Sequence, residues 1–203
     1  MLKLKKIAIT GGVASGKSSV CRFFQELGAY VVSADALVHE LLSLETSLGQ
    51  QVLKLFGPQI LQDGKIERRI LAELVFKTPS RLEALEKILH PAVLRSIEEL
   101  YKQACEKRTF PLFVVEIPLL YEIRGEHFYD VIVTVLADEK IAKERFSQAG
   151  FQPNEYERRM SRQLEPSQKV KRADYTLVNN GSLEQLRQEV IKLNSILKEN
   201  QFP

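Results

Sequence analysis

Lys6-Ile7-Ala8-Ile9-Thr10-Gly11-Gly12-Val13-Ala14-Ser15-Gly16-Lys17-Ser18-Ser19 is the stretch from which the fold can be read. It opens with a short apolar run ending in two glycines, the pattern of a buried strand. From Lys17 to Leu27 the apolar residues Val20, Phe23, Phe24 and Leu27 recur at helical spacing, and Gly28 is placed to stop the helix. Tyr30-Val31-Val32-Ser33 is a second apolar run. Strand, helix and strand in this order predict a βαβ unit with parallel strands and a right-handed crossover.

The turn between the first strand and the helix, Gly11 to Ser18, satisfies G-x-x-x-x-G-K-[ST]. Gly11 and Gly16 permit positive φ and close backbone approach. Successive N–H groups of Gly12, Val13, Ala14 and Ser15 can therefore curl around a phosphate. The helix that follows offers unpaired donors and the positive end of its dipole to the same anion. Lys17 can bridge β- and γ-phosphate oxygens, Ser18 can ligate Mg²⁺, and Ser19 can reach an α-phosphate. A chance glycine-rich turn would match the motif too, but it would not need to fall between a strand and a helix. The sequence therefore predicts a P-loop NTPase fold and a nucleoside triphosphate site, without naming the reaction.

Outward from this unit, residues from about 37 to 107 show helical periodicity. It is interrupted at Gly57-Pro58, Asp63-Gly64 and His90-Pro91, and no strand is evident. Apolar runs return at Leu112–Ile117, Val131–Leu136 and Tyr175–Val178, as expected for strands covered on both faces. A polar, arginine-rich helical stretch separates the last two, and a helix from Leu183 to about Lys198 closes the chain. The expected architecture is α/β, a five-stranded parallel sheet flanked by helices. It carries a helical insertion after the second strand and a small basic one before the fifth. The boundaries are 1–36, 108–141 and 173–203 for the core, 37–107 for the first insertion and 142–172 for the second.

Composition limits the alternatives. With 44% apolar and 27% charged residues, the 203-residue chain can bury enough surface to fold. A net charge of +3 is too small to announce a nucleic-acid surface. Cys21 and Cys105 stand far apart and form no metal or disulfide pattern, which suits a reducing cytoplasm. The N-terminus lacks the apolar stretch of a signal peptide, and no run is long enough for a membrane span.

Three further features bear on chemistry. Asp35, just after the second strand, should emerge at the carboxyl edge of the sheet, where it can take a hydroxyl proton during phosphoryl transfer. An acid in a first helical turn is also favoured by the dipole alone, and position does not choose between the two. Glu116, ending the third strand, can hold a magnesium-bound water or be a solvated strand end. From Arg158 to Arg172 six basic residues, Arg158, Arg159, Arg162, Lys169, Lys171 and Arg172, face one acid, Glu165. Such a segment can close on a triphosphate or be a solvated helix face.

The chain resembles the dephospho-CoA kinase family nearly end to end. The resemblance rests on Thr10 to Ser18, Ser33-Ala34-Asp35, and Asp63 to Arg68 with Leu71 and Val75-Phe76. It continues through Leu89-His90-Pro91, Pro118-Leu119-Leu120-Tyr121-Glu122, Gln163 to Lys169, and Ala173 to Gly181. It implies transfer of the ATP γ-phosphoryl group to the ribose 3′-hydroxyl of dephospho-CoA, with Mg²⁺. It also implies a helical acceptor-binding domain at 37–107, a helical lid at 142–172, and a monomer or weak homo-oligomer with no nucleic-acid or membrane partner. By the family pattern Asp35 is the base and also touches substrate, with Lys17, Arg145 and Arg159 beside it in catalysis. Arg68 and Glu122 lie near the acceptor, and Asn179 near the ATP base. Ser33 stands where many members carry an acid, and the stretch after Arg145 lacks a second arginine common there, a place Arg162 can fill. Other small-acceptor kinases are disfavoured because the loop lacks the Gly-Lys-Gly ending of adenylate kinases. A GTPase switch is disfavoured by the missing Asn-Lys-x-Asp signature.

Overall fold

The computed structural model describes residues 4–199. The chain forms two compact units, one made of the residues up to Ser33 and those from Gln103 onward, the other of Ala34–Lys102. Residues 142–172, expected as a separate lid, fall within the first unit.

The first unit is built on strands β1 (Lys5–Gly11), β2 (Tyr30–Ser33), β5 (Leu112–Glu116), β6 (Val131–Leu136) and β7 (Tyr175–Val178), with β3 (Leu61–Gln62) and β4 (Lys65–Ile66) lying in the other unit. They form one parallel sheet in the order β2-β5-β1-β6-β7. Ile7, Ala8, Ile9, Leu112, Phe113, Val114 and Val115 are fully buried, which is why their runs carry no alternation. Helices α1 (Lys17–Glu26) and α9 (Leu183–Glu199) pack Val20, Phe23, Phe24, Leu186, Val190 and Leu193 against Ile7, Ile9, Val114 and Val133. After β1 the chain runs outward to β2, but after β5 it crosses to β6 on the opposite side of β1. The connections thus diverge between β1 and β5, where an open parallel sheet leaves a crevice at its carboxyl edge. Gly11 and Glu116 end the two strands at that crevice.

The second unit contains α2 (Ala34–Leu41), α3 (Ser47–Phe56), α4 (Arg68–Phe76) and most of α5 (Pro79–Lys107), around Val52, Phe56, Ile60, Leu71, Val75 and Leu85. Thr46 caps α3 by accepting from the Gly49 amide at 2.9 Å, and Glu67 caps α4 by accepting from that of Arg69. Two expectations fail here. Asp63-Gly64 is the turn of a hairpin between β3 (Leu61–Gln62) and β4 (Lys65–Ile66), not a mere break between helices. Both turn residues have positive φ, 50° and 72°, as a two-residue hairpin with the sheet's twist requires. Arms of two residues are too short to show alternation, so only the turn carried the signal.

Nor does α5 stop at His90-Pro91, because it runs through Pro91 for 29 residues. Leu85 before the proline and Ala92, Val93 and Ile97 after it are all buried, and this packing outweighs one missing hydrogen bond. A proline inside a helix costs about 3 kcal/mol relative to alanine, offset by up to about 1 kcal/mol from its stiffer unfolded chain. Pro91→Ala should therefore raise unfolding free energy by about 2 kcal/mol, read by urea titration. A loss of stability would mean that the ring itself packs usefully.

Candidate active site

β1 delivers Gly11 into a loop whose shape depends on residues with positive φ: Gly11 at 145°, Ala14 at 53° and Gly16 at 101°. Gly16 is the N-cap of α1, no side chain caps the helix, and its first turn carries no acid. The first amide donors of α1 are thus left without a side-chain cap, as an anion site requires. Lys17 is only 8% exposed and folds over the loop, donating from Nζ to the carbonyls of Gly12 at 2.6 Å and Gly11 at 3.2 Å. Inside the loop the Ser15 hydroxyl is buried without a hydrogen-bond partner among the described residues. One turn along, the Ser18 hydroxyl donates to Glu116 Oε1 at 2.9 Å.

The ends of β1 and β5 therefore bring a hydroxyl and a carboxylate together beside the phosphate loop. Among the described residues no three His, Cys, Asp or Glu side chains cluster as a metal cage. Two hard oxygen donors beside a phosphate site suit Mg²⁺, which takes few protein ligands and completes its shell with phosphates and water. Of the two readings of Glu116, metal holder and solvated strand end, its bond to Ser18 favours the former.

Helices α6 (Glu139–Gln148), α7 (Pro153–Met160) and α8 (Pro166–Arg172) form the basic segment. Ala142, Phe146, Tyr156 and Met160 pack together with Val13 and Ala14 of the loop, so this segment is seated on the P-loop. Arg145 donates from Nη1 to the Asn179 carbonyl at 2.9 Å and from Nη2 to its Oδ1 at 3.3 Å. Asn179 donates in turn from Nδ2 to the Ser15 carbonyl at 2.8 Å. The two residues thus brace the loop from behind. Arg159 lies over the rings of Phe151, at 4.8 Å, and Phe146, at 5.4 Å. Arg158 pairs with Glu155, and Arg172 with Glu126. Several of the charges that looked unopposed in the sequence thus have acidic or aromatic partners.

Glu122, expected near the acceptor, accepts from Lys169 Nζ at 3.0 Å and from the Leu164 amide at 2.7 Å. Lys169 is one of the six basic residues of the 158–172 segment, and its side chain is neither solvated nor turned to a phosphate but fully buried against Glu122. That burial pulls its pKa below the usual lysine value, partly offset by Glu122. Apart from the family stretch 163–169, which ends on Lys169, nothing in the local sequence distinguishes it from Lys171. Ser19, the next residue of α1 after Ser18, is half-buried.

Asp35 and Arg68 belong to the helical unit. Asp35 is exposed in the first turn of α2, which follows β2 without a break, and Arg68 is exposed at the start of α4. Neither lines the cleft of about 430 Å³ in that unit, whose walls include Thr46, Gln51, Lys87, Ile88, Arg95 and Ser96.

The sequence profile of the dephospho-CoA kinases matches residues 5–185. The chain belongs to the dephospho-CoA kinase family. Members of this family phosphorylate dephospho-CoA with ATP, the last step of coenzyme A biosynthesis. A dephospho-CoA kinase of Protochlamydia amoebophila is 50% identical over 200 residues, covering 98% of each chain. The crystal structure of TT1252 from Thermus thermophilus superposes with a TM-score of 0.81 at 33% identity, over 96% of this chain and 98% of that one. A dephospho-CoA kinase from Campylobacter jejuni shares the fold, with a TM-score of 0.65 at 24% identity, over 97% and 99% of the two chains. No helix among the described residues is long and apolar enough to cross a membrane.

Proposed function

We propose that this kinase transfers the γ-phosphoryl group of ATP to the ribose 3′-hydroxyl of dephospho-CoA, giving coenzyme A and ADP. The acceptor is supported by the family match; the observation that carries phosphoryl transfer from ATP is the P-loop itself: an uncapped α1 N-terminus, Lys17 curled on the loop carbonyls, and Ser18 bonded to Glu116. The loop amides and Lys17 hold the β- and γ-phosphates, and Lys17 follows the charge as it moves to the bridging oxygen. Asp35 accepts the hydroxyl proton as the new O–P bond forms and the β–γ bridge breaks, leaving the negative charge on ADP. Ser18 and Glu116 would hold Mg²⁺, which neutralises phosphate charge when bound.

Arg145 and Arg159 neutralise charge on the transferring group, at the cost of the contacts they make here with Asn179 and the two phenylalanine rings. Arg68 is assigned to the acceptor, and Asn179 to the nucleotide end of the loop. Cys21 is buried with its thiol pKa pushed far up and Cys105 is free, a state suited to a reducing cytoplasm. The chain acts as a monomer or weak homo-oligomer.

A coupled assay of ADP release over dephospho-CoA, AMP, CMP and shikimate should give turnover with dephospho-CoA alone. Phosphorus NMR of the product should show a new 3′-phosphomonoester. Turnover of another acceptor, with dephospho-CoA inert, would end this reading.

A further inference from the structure

One buried network has no part in the transfer steps described above, although it includes Glu122, which the family pattern puts near the acceptor. The Pro118 carbonyl, just beyond β5, accepts from Thr10 Oγ1 at 3.3 Å and from Lys169 Nζ at 2.8 Å. Thr10 is the residue of β1 that leads into the P-loop. Lys169 Nζ also reaches Gln163 Oε1 at 3.2 Å and Glu122 Oε1 at 3.0 Å, and that oxygen accepts from the Leu164 amide. The Lys169 side chain is 0% and that of Glu122 16% exposed. Glu122 Oε2 has no hydrogen-bond partner among the described residues, and Lys169 Nζ stands 3.0 Å from its Oε1. The Lys169 carbonyl accepts in turn from Thr134 and Tyr121. Gln163 and Leu164 form the return from α7 to α8, directly after Arg158, Arg159 and Arg162.

We propose that the Glu122–Lys169 pair is a positioning device that fastens the return of the arginine-bearing segment to the root of the P-loop strand, setting where its arginines stand during transfer. This rests on the kinase reading above. A buried ion pair is a poor source of stability, because desolvation consumes most of the Coulomb gain, and an apolar replacement is often neutral. What the pair adds is direction. One carboxylate oxygen joins an amide of the segment to a cation held on the β5 exit, whereas an apolar contact would let the segment slide. Small displacements of a group that acts only in the transition state cost turnover rather than binding.

The test uses the full-length Glu122→Met/Lys169→Met protein, which removes both charges and keeps the volume. The expected result is a melting temperature within about 4 °C of the parent. Affinity for a non-hydrolysable ATP analogue should be kept, with kcat lowered about 10–100-fold. Faster amide exchange at 161–165 should accompany it, a readout that needs no acceptor. Parental kcat, or a rise in KM for ATP with kcat unchanged, overturns the proposal.

If the double variant does not fold, Glu122→Asp decides. It keeps the charge opposite Lys169 but withdraws the carboxylate from the Leu164 amide. Reduced kcat at parental melting temperature supports the proposal, and unchanged kcat overturns it. Turnover is read with whichever acceptor the parent phosphorylates. Failure of the dephospho-CoA reading is therefore seen in the parent, and failure of this proposal only in the variants.

Discussion

Asp35→Asn is expected to lower kcat about 10³-fold, in the middle of the range for loss of a positioned general base. Asparagine keeps the volume and a hydrogen-bonding oxygen but has no useful affinity for a proton. ATP affinity should stay within a few fold, because Lys17, the loop amides and the α1 N-terminus are untouched. The competing account, an acid at the start of α2 that only complements the dipole, makes a different prediction. There the change would cost about 0.3–1 kcal/mol of stability and leave turnover intact. A 10³-fold loss corresponds to about 4 kcal/mol in the barrier, so the two accounts are well separated. Steady-state kinetics with both substrates saturating, set beside urea unfolding of the same variant, would decide. Normal turnover would remove Asp35 from the chemistry.

Why Asp35 could be singled out from sequence, while Lys169 could not, has a physical reason. The sheet strands are covered on both faces, so each is a nearly unbroken apolar run, and the loop between β1 and α1 needs particular residues at fixed spacing. Both leave marks within a few neighbours along the chain. The parallel direction of the first two strands was legible because a βαβ crossover has one hand, whereas the order β2-β5-β1-β6-β7 is a tertiary result. The Glu122–Lys169 pair joins residues far apart in sequence, and a lysine reads the same on paper whether buried or solvated. The resemblance put Glu122 beside the acceptor, and only the fold brings it onto Lys169 and the Leu164 amide. Arg145 and Asn179 illustrate an intermediate case: both were picked out, but their mutual bond and the brace on Ser15 are tertiary. The hairpin at Asp63-Gly64 and the continuation of α5 through Pro91 were missed for opposite reasons. The hairpin's arms are shorter than any period, and the helix persists by packing that a local breaker rule ignores.

Gly11→Ala is expected to be the most damaging single methyl in the phosphate loop. A Cβ at Gly11 would stand 2.2 Å from the Val135 carbonyl oxygen and 3.0 Å from Ser15 Oγ, at φ 145°. Val135 is the β6 residue paired with Gly11 in the sheet, so the obstacle is backbone held by its own ladder and cannot swing aside. Overpacking and the strained dihedral each cost about 1–3 kcal/mol, so a loss of about 3 kcal/mol or more is expected. Nucleotide affinity should fall with it, since the β1 exit sets where every loop amide points. Gly64→Ala is the control: φ is 72°, but nothing lies within 4 Å of the new methyl. Only the dihedral cost of about 1–2 kcal/mol remains, with ATP binding unchanged. Gly16→Ala falls between them. Its methyl would meet Asn179 Nδ2 at 2.1 Å, a side chain that can retract, but only by giving up its bond to the Ser15 carbonyl. That variant should lose more turnover than stability, and Gly11→Ala should lose both. Equal urea midpoints for Gly11→Ala and Gly64→Ala would contradict this ordering, because the crowding charged to Gly11, above all the immovable carbonyl of β6, has no counterpart at Gly64.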